Sequence, residues 1–155
     1  MTAQDAYQTV YQIVQTAVEA GVPCIYKKTD SGLRGNIGSE LTAALNASGN
    51  KQLHFIPAFP LINRITVNGI HYIDGKPVAQ SVFGKDPFEP VQSSKVKEII
   101  YSQSPVHTHL MGSTVPDVLP QGILVYDSAK DEDLQQIAQT LKLRGELNLL
   151  AAVSY

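Results

Sequence analysis

Gly122-Ile123-Leu124-Val125-Tyr126-Asp127 decides how this chain is read. A short run of bulky apolar residues bounded by turn-forming ones is the mark of a strand covered on both faces. After a polar step comes Asp131 to Leu143, where apolar residues recur at helical spacing behind acidic residues suited to a helix start. A strong buried strand followed by an amphipathic helix is the alternation from which α/β layered domains are built. Leu147 to Val153 is a final apolar run that ends with the chain.

The same alternation appears upstream. Asp5 to Ala20 is helical by period, with Ala6, Val10, Ile13, Val14, Ala17 and Val18 on one stripe and Gly21 and Pro23 ending it. Pro23-Cys24-Ile25-Tyr26 reads as a short buried strand, with Cys24 a small core residue. A second helix is expected from about Gly35 to Ala47, burying Ile37, Leu41, Ala44 and Leu45, with Asp30 or Ser31 as N-cap. His54-Phe55-Ile56-Pro57 is the next strand. Ser93 to Tyr101 reads as a helix and Pro105 to His109 as a strand; Tyr7, Tyr11 and Tyr101 are read as helix packing residues. Between them, Asn68-Gly69 and Asp74-Gly75 suit primed two-residue turns, so Ile65 to Val78 is a small antiparallel excursion. The expectation is an α/β layered domain, a mostly parallel sheet flanked by helices, with a hairpin excursion around 65–78.

Composition sets outer limits. The 155 residues are 43% hydrophobic and 17% charged, which suits one compact domain. A net charge of −2 argues against a nucleic-acid partner, because neutralising phosphates needs a basic excess. No apolar run approaches the ~20 residues that span a bilayer, so no membrane partner is expected. The chain opens without the basic and apolar blocks of a signal peptide. A single cysteine, Cys24, permits no disulfide within the chain and points to a cytoplasmic location.

Ligands of open α/β sheets bind beyond the carboxyl ends of strands. There, Lys27, Lys28, Asp30 and Arg34 give one short segment a positive balance in a chain that is negative overall. Gly32, Gly35 and Gly38 would let backbone approach a ligand, and a helix start offers free N–H groups to anions. The plain alternative is a solvated turn. No phosphate loop is present, since Gly75-Lys76 and Gly84-Lys85 are followed by Pro77 and Asp86 rather than Ser or Thr. His107 and His109 alternate on the expected strand, but without a neighbouring Cys or carboxylate a polar pair is the better reading than a metal site.

The run from Tyr26 to Glu40, Tyr-Lys-Lys-Thr-Asp-Ser-Gly-Leu-Arg-Gly-Asn-Ile-Gly-Ser-Glu, closely resembles the signature of the four-carbon acid sugar kinase family. Pro57-Ala58-Phe59-Pro60, Arg64-x-Thr66-Val67-x-Gly69, His71-Tyr72-x-Asp74-Gly75-x-Pro77-Val78 and Asp86-Pro87-Phe88-x-Pro90-Val91 follow in that family's order. The resemblance is strong from Tyr26 to Val91 and looser beyond. It implies an ATP-dependent kinase acting on threonate, erythronate or oxo-tetronate, with the acid bound by an N-terminal domain. ATP and Mg would bind in a separate C-terminal domain, outside this chain. Carried over, the substrate contacts are Lys28, Asp30, Ser31 and Arg34, with Arg64 a weaker candidate. The chemistry agrees: a guanidinium suits a carboxylate, while Asp30 and Ser31 suit vicinal hydroxyls.

The chain also departs from the pattern. Gly32 stands for the usual Thr and Asn63 for the usual Gly before the arginine. It starts after the family's opening Ala-Asp-Asp strand and lacks the ATP domain. It is therefore expected to be one incomplete sugar-acid-binding domain, residues 1–155, inactive alone. A non-enzymatic anion-binding or interaction module derived from such a kinase is the alternative. If the absent strand belongs mid-sheet, exposed edges would drive a homo-oligomer.

Overall fold

The computed structural model describes residues 1–153. The helices are α1 (Ala3–Glu19), α2 (Ile37–Ser48), α3 (Val96–Tyr101) and α4 (Asp131–Leu143). Strands β1 (Ile25–Thr29), β2 (Gln52–Ile56), β6 (Thr108–Gly112), β7 (Gly122–Tyr126) and β8 (Leu149–Val153) form one sheet in the order β1-β8-β2-β7-β6, parallel throughout. Strands β3 (Arg64–Val67), β4 (Ile70–Ile73) and β5 (Lys76–Pro77) form a small antiparallel sheet.

Alternation along the inner strands assigns the helices to two faces. Leu53 and Phe55 of β2 and Ile123 and Val125 of β7 pack with Leu41, Ala44 and Leu45 of α2, Val96 and Ile100 of α3, and Val14 of α1. The intervening residues Ile56, Leu124 and Tyr126 pack with Ile137 and Leu141 of α4. All five residues of β7 are buried, as its unbroken apolar run requires. The sheet runs without a gap from β1 to β6 among the described residues, so a further strand has room only at an edge. The condition under which exposed edges were expected, a strand absent from mid-sheet, is thus not met among the described residues.

Local chemistry explains the ends. Thr2 and Asp5 close a capping box at the start of α1: Thr2 Oγ1 accepts from the Asp5 N–H at 3.1 Å, and the Asp5 carboxylate accepts in return. Helix α1 packs along α2 rather than on the sheet, so its buried stripe narrows to Ala6 and Val14 while Ile13 and Val18 meet solvent. The primed turns are present, with φ of +52° and +73° at Asn68 and Gly69 and +50° and +79° at Asp74 and Gly75.

Three boundaries differ from expectation. Strand β1 begins later than predicted and continues through Lys27, Lys28 and Thr29, leaving Cys24 exposed before it. It is an edge strand, paired on one side only, so polar residues are tolerated along it. Lys27 turns toward α2 and meets Glu40 at 2.6 Å; Lys28 is exposed. Helix α2 starts after Asn36, not after Asp30 or Ser31, because the Asp30 carboxylate is spent on the loop itself. Strand β6 lies further along than Pro105–His109, and Tyr101 is exposed at the end of α3.

Candidate functional site

The loop from Asp30 to Asn36 leaves the carboxyl end of β1 and enters α2. Asp30 organises it. Its Oδ2 accepts from the backbone N–H of Gly32 (3.1 Å) and of Arg34 (3.1 Å), and from Arg34 Nε at 3.0 Å. Its Oδ1 accepts from Arg34 Nη2 at 2.9 Å, completing a two-pronged pair. Arg34 Nη1 reaches Asp86 Oδ2 at 3.3 Å, tying the loop to the segment after β5. Burial alone would raise the Asp30 pKa, but the hydrogen bonds and charge of Arg34 outweigh it and hold the carboxyl below its ordinary range. Asp86 is also held low, by the N–H groups of Glu89 and Phe88 and then by Arg34. Arg34 is held firmly charged, chiefly by its hydrogen bond to Asp30.

Leu33 adopts a left-handed conformation, φ +58°, rare for a branched residue. Its N–H closes a turn onto the Asp30 carbonyl at 3.1 Å, and its side chain is buried at 2% exposure. Burial of the leucine and the Asp30 bonds together hold this strained turn.

Beneath the loop lies His71, fully buried on β4. Its Nε2 is 2.9 Å from the Ser31 carbonyl, and its Nδ1 is 3.0 Å from Thr66 Oγ1. The carbonyl can only accept, so Nε2 carries the proton and Nδ1 accepts from the Thr66 hydroxyl. Burial, with a smaller push from the Arg64 charge, lowers the His71 pKa to about 4. A neutral imidazole therefore props the loop from the small sheet. The small sheet is anchored in turn: Asp127 accepts from the N–H groups of Asn68 and Gly69 at 2.9 Å each, and Thr66 and Ser128 exchange backbone bonds at 2.9 Å.

The structure thus joins Asp30, Ser31 and Arg34 in one loop, and brings Arg64 near through Phe83. The Arg64 side chain is 18% exposed, and its Nη1 donates to the Ile62 carbonyl at 2.8 Å and lies 3.6 Å from Asp74. Its Nε is buried without a partner. The Ser31 hydroxyl and Lys28 ammonium make no hydrogen bond among the described residues. An open cleft of about 410 Å³ runs beside Arg34, Gly35 and Asn36, with Glu89 and Glu98 across it. Of the five candidate residues only Arg34 lines that cleft, and the facing carboxylates make it a poor seat for an anion. No group of His, Cys, Asp and Glu suited to a metal occurs among the described residues.

His71 and Phe83 were not among the expected site residues. A signal for His71 was available: an Asn68-Gly69 turn sets Thr66 directly opposite His71, a polar pair on an otherwise apolar hairpin. Phe83 carried none, because its ring acts through a short 3-10 turn distant in sequence from the loop.

Comparison with known proteins places the chain in a family. A family model described as a sugar-binding N-terminal domain matches residues 1–154. A D-threonate kinase of Salmonella typhimurium is 33% identical over 99% of this chain and 40% of its own length. A D-erythronate kinase of Heliobacterium modesticaldum is 33% identical over 92% of this chain and 36% of its own. A Bordetella bronchiseptica crystal structure, a domain-swapped dimer with bound citrate, superposes with a TM-score of 0.84 at 26% identity, covering 99% of this chain and 39% of that one. The chain spans about two fifths of the length of the curated kinases it matches. It belongs to the family of sugar-binding N-terminal domains found in four-carbon acid sugar kinases.

Proposed function

We propose that this chain is the acid-binding part of an ATP-dependent kinase for four-carbon acid sugars, of the threonate, erythronate or oxo-tetronate class. The observation that carries the reading is the preorganised loop at the carboxyl end of β1, charged and held in a strained turn, in a chain of this family. The Bordetella relative was crystallised with citrate, itself a polycarboxylate, bound, which is in keeping with a carboxylate ligand. Phosphoryl transfer also needs nucleotide, magnesium and in-line placement of the acceptor hydroxyl. Those functions fall to parts outside this chain, which alone binds acid without turning it over.

In this reading Arg34, Arg64 and Lys28 are the cations for the acid's carboxylate. The Arg34–Asp86 contact, the longest of the Arg34 bonds at 3.3 Å, is the one a carboxylate displaces. The Ser31 hydroxyl and the remaining lone pairs of Asp30 Oδ1 take the vicinal hydroxyls. Association with further copies of the chain through its sheet edges is part of the same proposal, supported by the relative's swapped dimer. So is a cytoplasmic location; for its part, no helix among the described residues is long and apolar enough to cross a membrane.

Titration calorimetry with D-threonate, D-erythronate and 3-oxo-tetronate tests the reading. Arg34→Ala should weaken binding by ~2–3 kcal/mol, the cost of losing a charge-assisted bond and leaving an anion unpaired, and Arg34→Lys should recover part of it. Absence of binding by the unaltered chain, or undiminished affinity in Arg34→Ala, refutes the assignment. ATP hydrolysis by the chain alone refutes its dependence on other parts.

A further inference from the structure

Phe83 belongs to none of the motifs discussed above, yet it touches three parts of the candidate site. The Arg34 guanidinium carbon lies 4.9 Å from the ring centroid and that of Arg64 5.7 Å, both within the ~6 Å at which a cation is held by an aromatic quadrupole. A Cβ at position 32 would stand 2.6 to 2.9 Å from three atoms of the same ring. Phe83 also packs against the apolar cluster of Ile73, Val78 and Val91.

The ring is placed independently of the arginines. The Phe83 N–H donates to Ser81 Oγ at 3.2 Å, and its carbonyl accepts from the Val91 N–H at 3.0 Å. Each guanidinium brings a positive charge that a nearby anionic group can offset. For Arg34 the structure supplies Asp30 and Asp86. Arg64 lies 3.6 Å from the exposed Asp74 and donates from Nη1 to the Ile62 carbonyl; its Nε is buried without a partner, and its Nη2 has no acceptor among the described residues. The imbalance leaves Arg64 as the cation with a donor, Nη2, to spare.

We propose that Phe83 is a positioning residue for the acid's carboxylate: its ring holds both Arg34 and Arg64, keeping Arg64 Nη2 available to the ligand, and position 32 is glycine to admit that ring. The inference rests on the sugar-acid reading and deepens it. A planar guanidinium stacked on a ring loses rotational freedom before the ligand arrives, so less is lost on binding. An aliphatic side chain of similar bulk fills the space without attracting the cations.

The test compares wild type, Phe83→Leu, Phe83→Tyr and Gly32→Ala by calorimetry with D-threonate and D-erythronate, with melting temperatures alongside. Arg Nε–H resonances of the same proteins, read by NMR without ligand, report ring-current shifts. Phe83→Leu should lose the Arg34 and Arg64 shifts and bind roughly tenfold more weakly, the scale of a partly buried cation–π contact. Phe83→Tyr, which keeps the ring, should stay within about twofold of wild type. Gly32→Ala leaves Phe83 unaltered but pushes the ring aside, and should weaken binding in the same sense. Undiminished affinity in a folded Phe83→Leu, or wild-type Arg resonances without ring-current shifts, overturns the role of Phe83 alone. Failure of the wild type to bind either acid overturns the sugar-acid reading, and the proposal with it.

Discussion

Acidification should loosen this domain through His71, and the size of the effect follows from where that residue sits. In the folded chain its pKa is lowered from 6.5 to about 4, first by burial and then by the nearby Arg64 charge, with the Ser31 carbonyl and Asp30 opposing. Between those values the unfolded chain carries a proton on His71 that the folded chain does not. Stability therefore rises with pH across this window: the contribution is full above 6.5 and is lost as pH falls toward 4. A gap of that width corresponds to about 3 kcal/mol. His54 is likewise lowered by burial, partly opposed by Glu146, and adds a slope of the same sign. Urea unfolding at steps from pH 7 to pH 4 measures the total, and His71→Leu and His71→Gln isolate one residue's share. At pH 7 His71→Leu should cost about 2–4 kcal/mol, because the Ser31 carbonyl loses its donor and the buried Thr66 hydroxyl its acceptor. His71→Gln keeps an amide donor for Ser31 and should cost less. Both variants should show a flatter dependence on pH than wild type. Parallel stability curves for wild type and His71→Leu would refute the argument.

Two further outcomes follow from close approach and exposure. Gly38→Ala should destabilise the domain by about 2–3 kcal/mol in urea unfolding, because a methyl there collides with the Ile100 carbonyl oxygen and parts α2 from α3; an unchanged midpoint would show that the helices can separate freely. Cys24, exposed ahead of β1, should react completely with a thiol reagent in the native state, and a reaction that waits for unfolding would contradict its placement.

Periodicity was enough to assign the helices and the inner strands, and it failed where one residue served two purposes. Strand β7 and helix α4 were legible because burial on both faces, or on one stripe, writes itself into the residue pattern. Strand β1 was misplaced because an edge strand needs little apolar character, so Lys27 and Lys28 masked it and Cys24 looked like core. Asp30 looked like a helix cap, but its carboxylate binds Arg34 and Gly32 across a left-handed Leu33 that no spacing rule foresees. The hairpin turns were visible in Asn68-Gly69 and Asp74-Gly75. What they support was not, since the contacts of His71 and Phe83 with the loop join residues about 40 and 50 positions apart.

The winding of the sheet explains why the small hairpin became part of the site. After β2 the chain departs toward the face covered by α2 and α3, whereas after β7 it departs toward α4 on the other face. β2 and β7 are neighbours, so their carboxyl ends diverge and open a crevice of the kind where α/β sheets bind ligands. Here the residues that follow β7 are committed to the hairpin: Asp127 holds the turn at Asn68 and Gly69, and Ser128 pairs with Thr66. Support then passes across the hairpin from Thr66 to His71, and through His71 to the carbonyl of Ser31. The crevice is thus used as a footing, while the charges of the candidate site gather on the loop beyond β1. A buried, uncharged imidazole is suited to that position, since it adds a donor and an acceptor without adding a third positive charge beside Arg34 and Arg64.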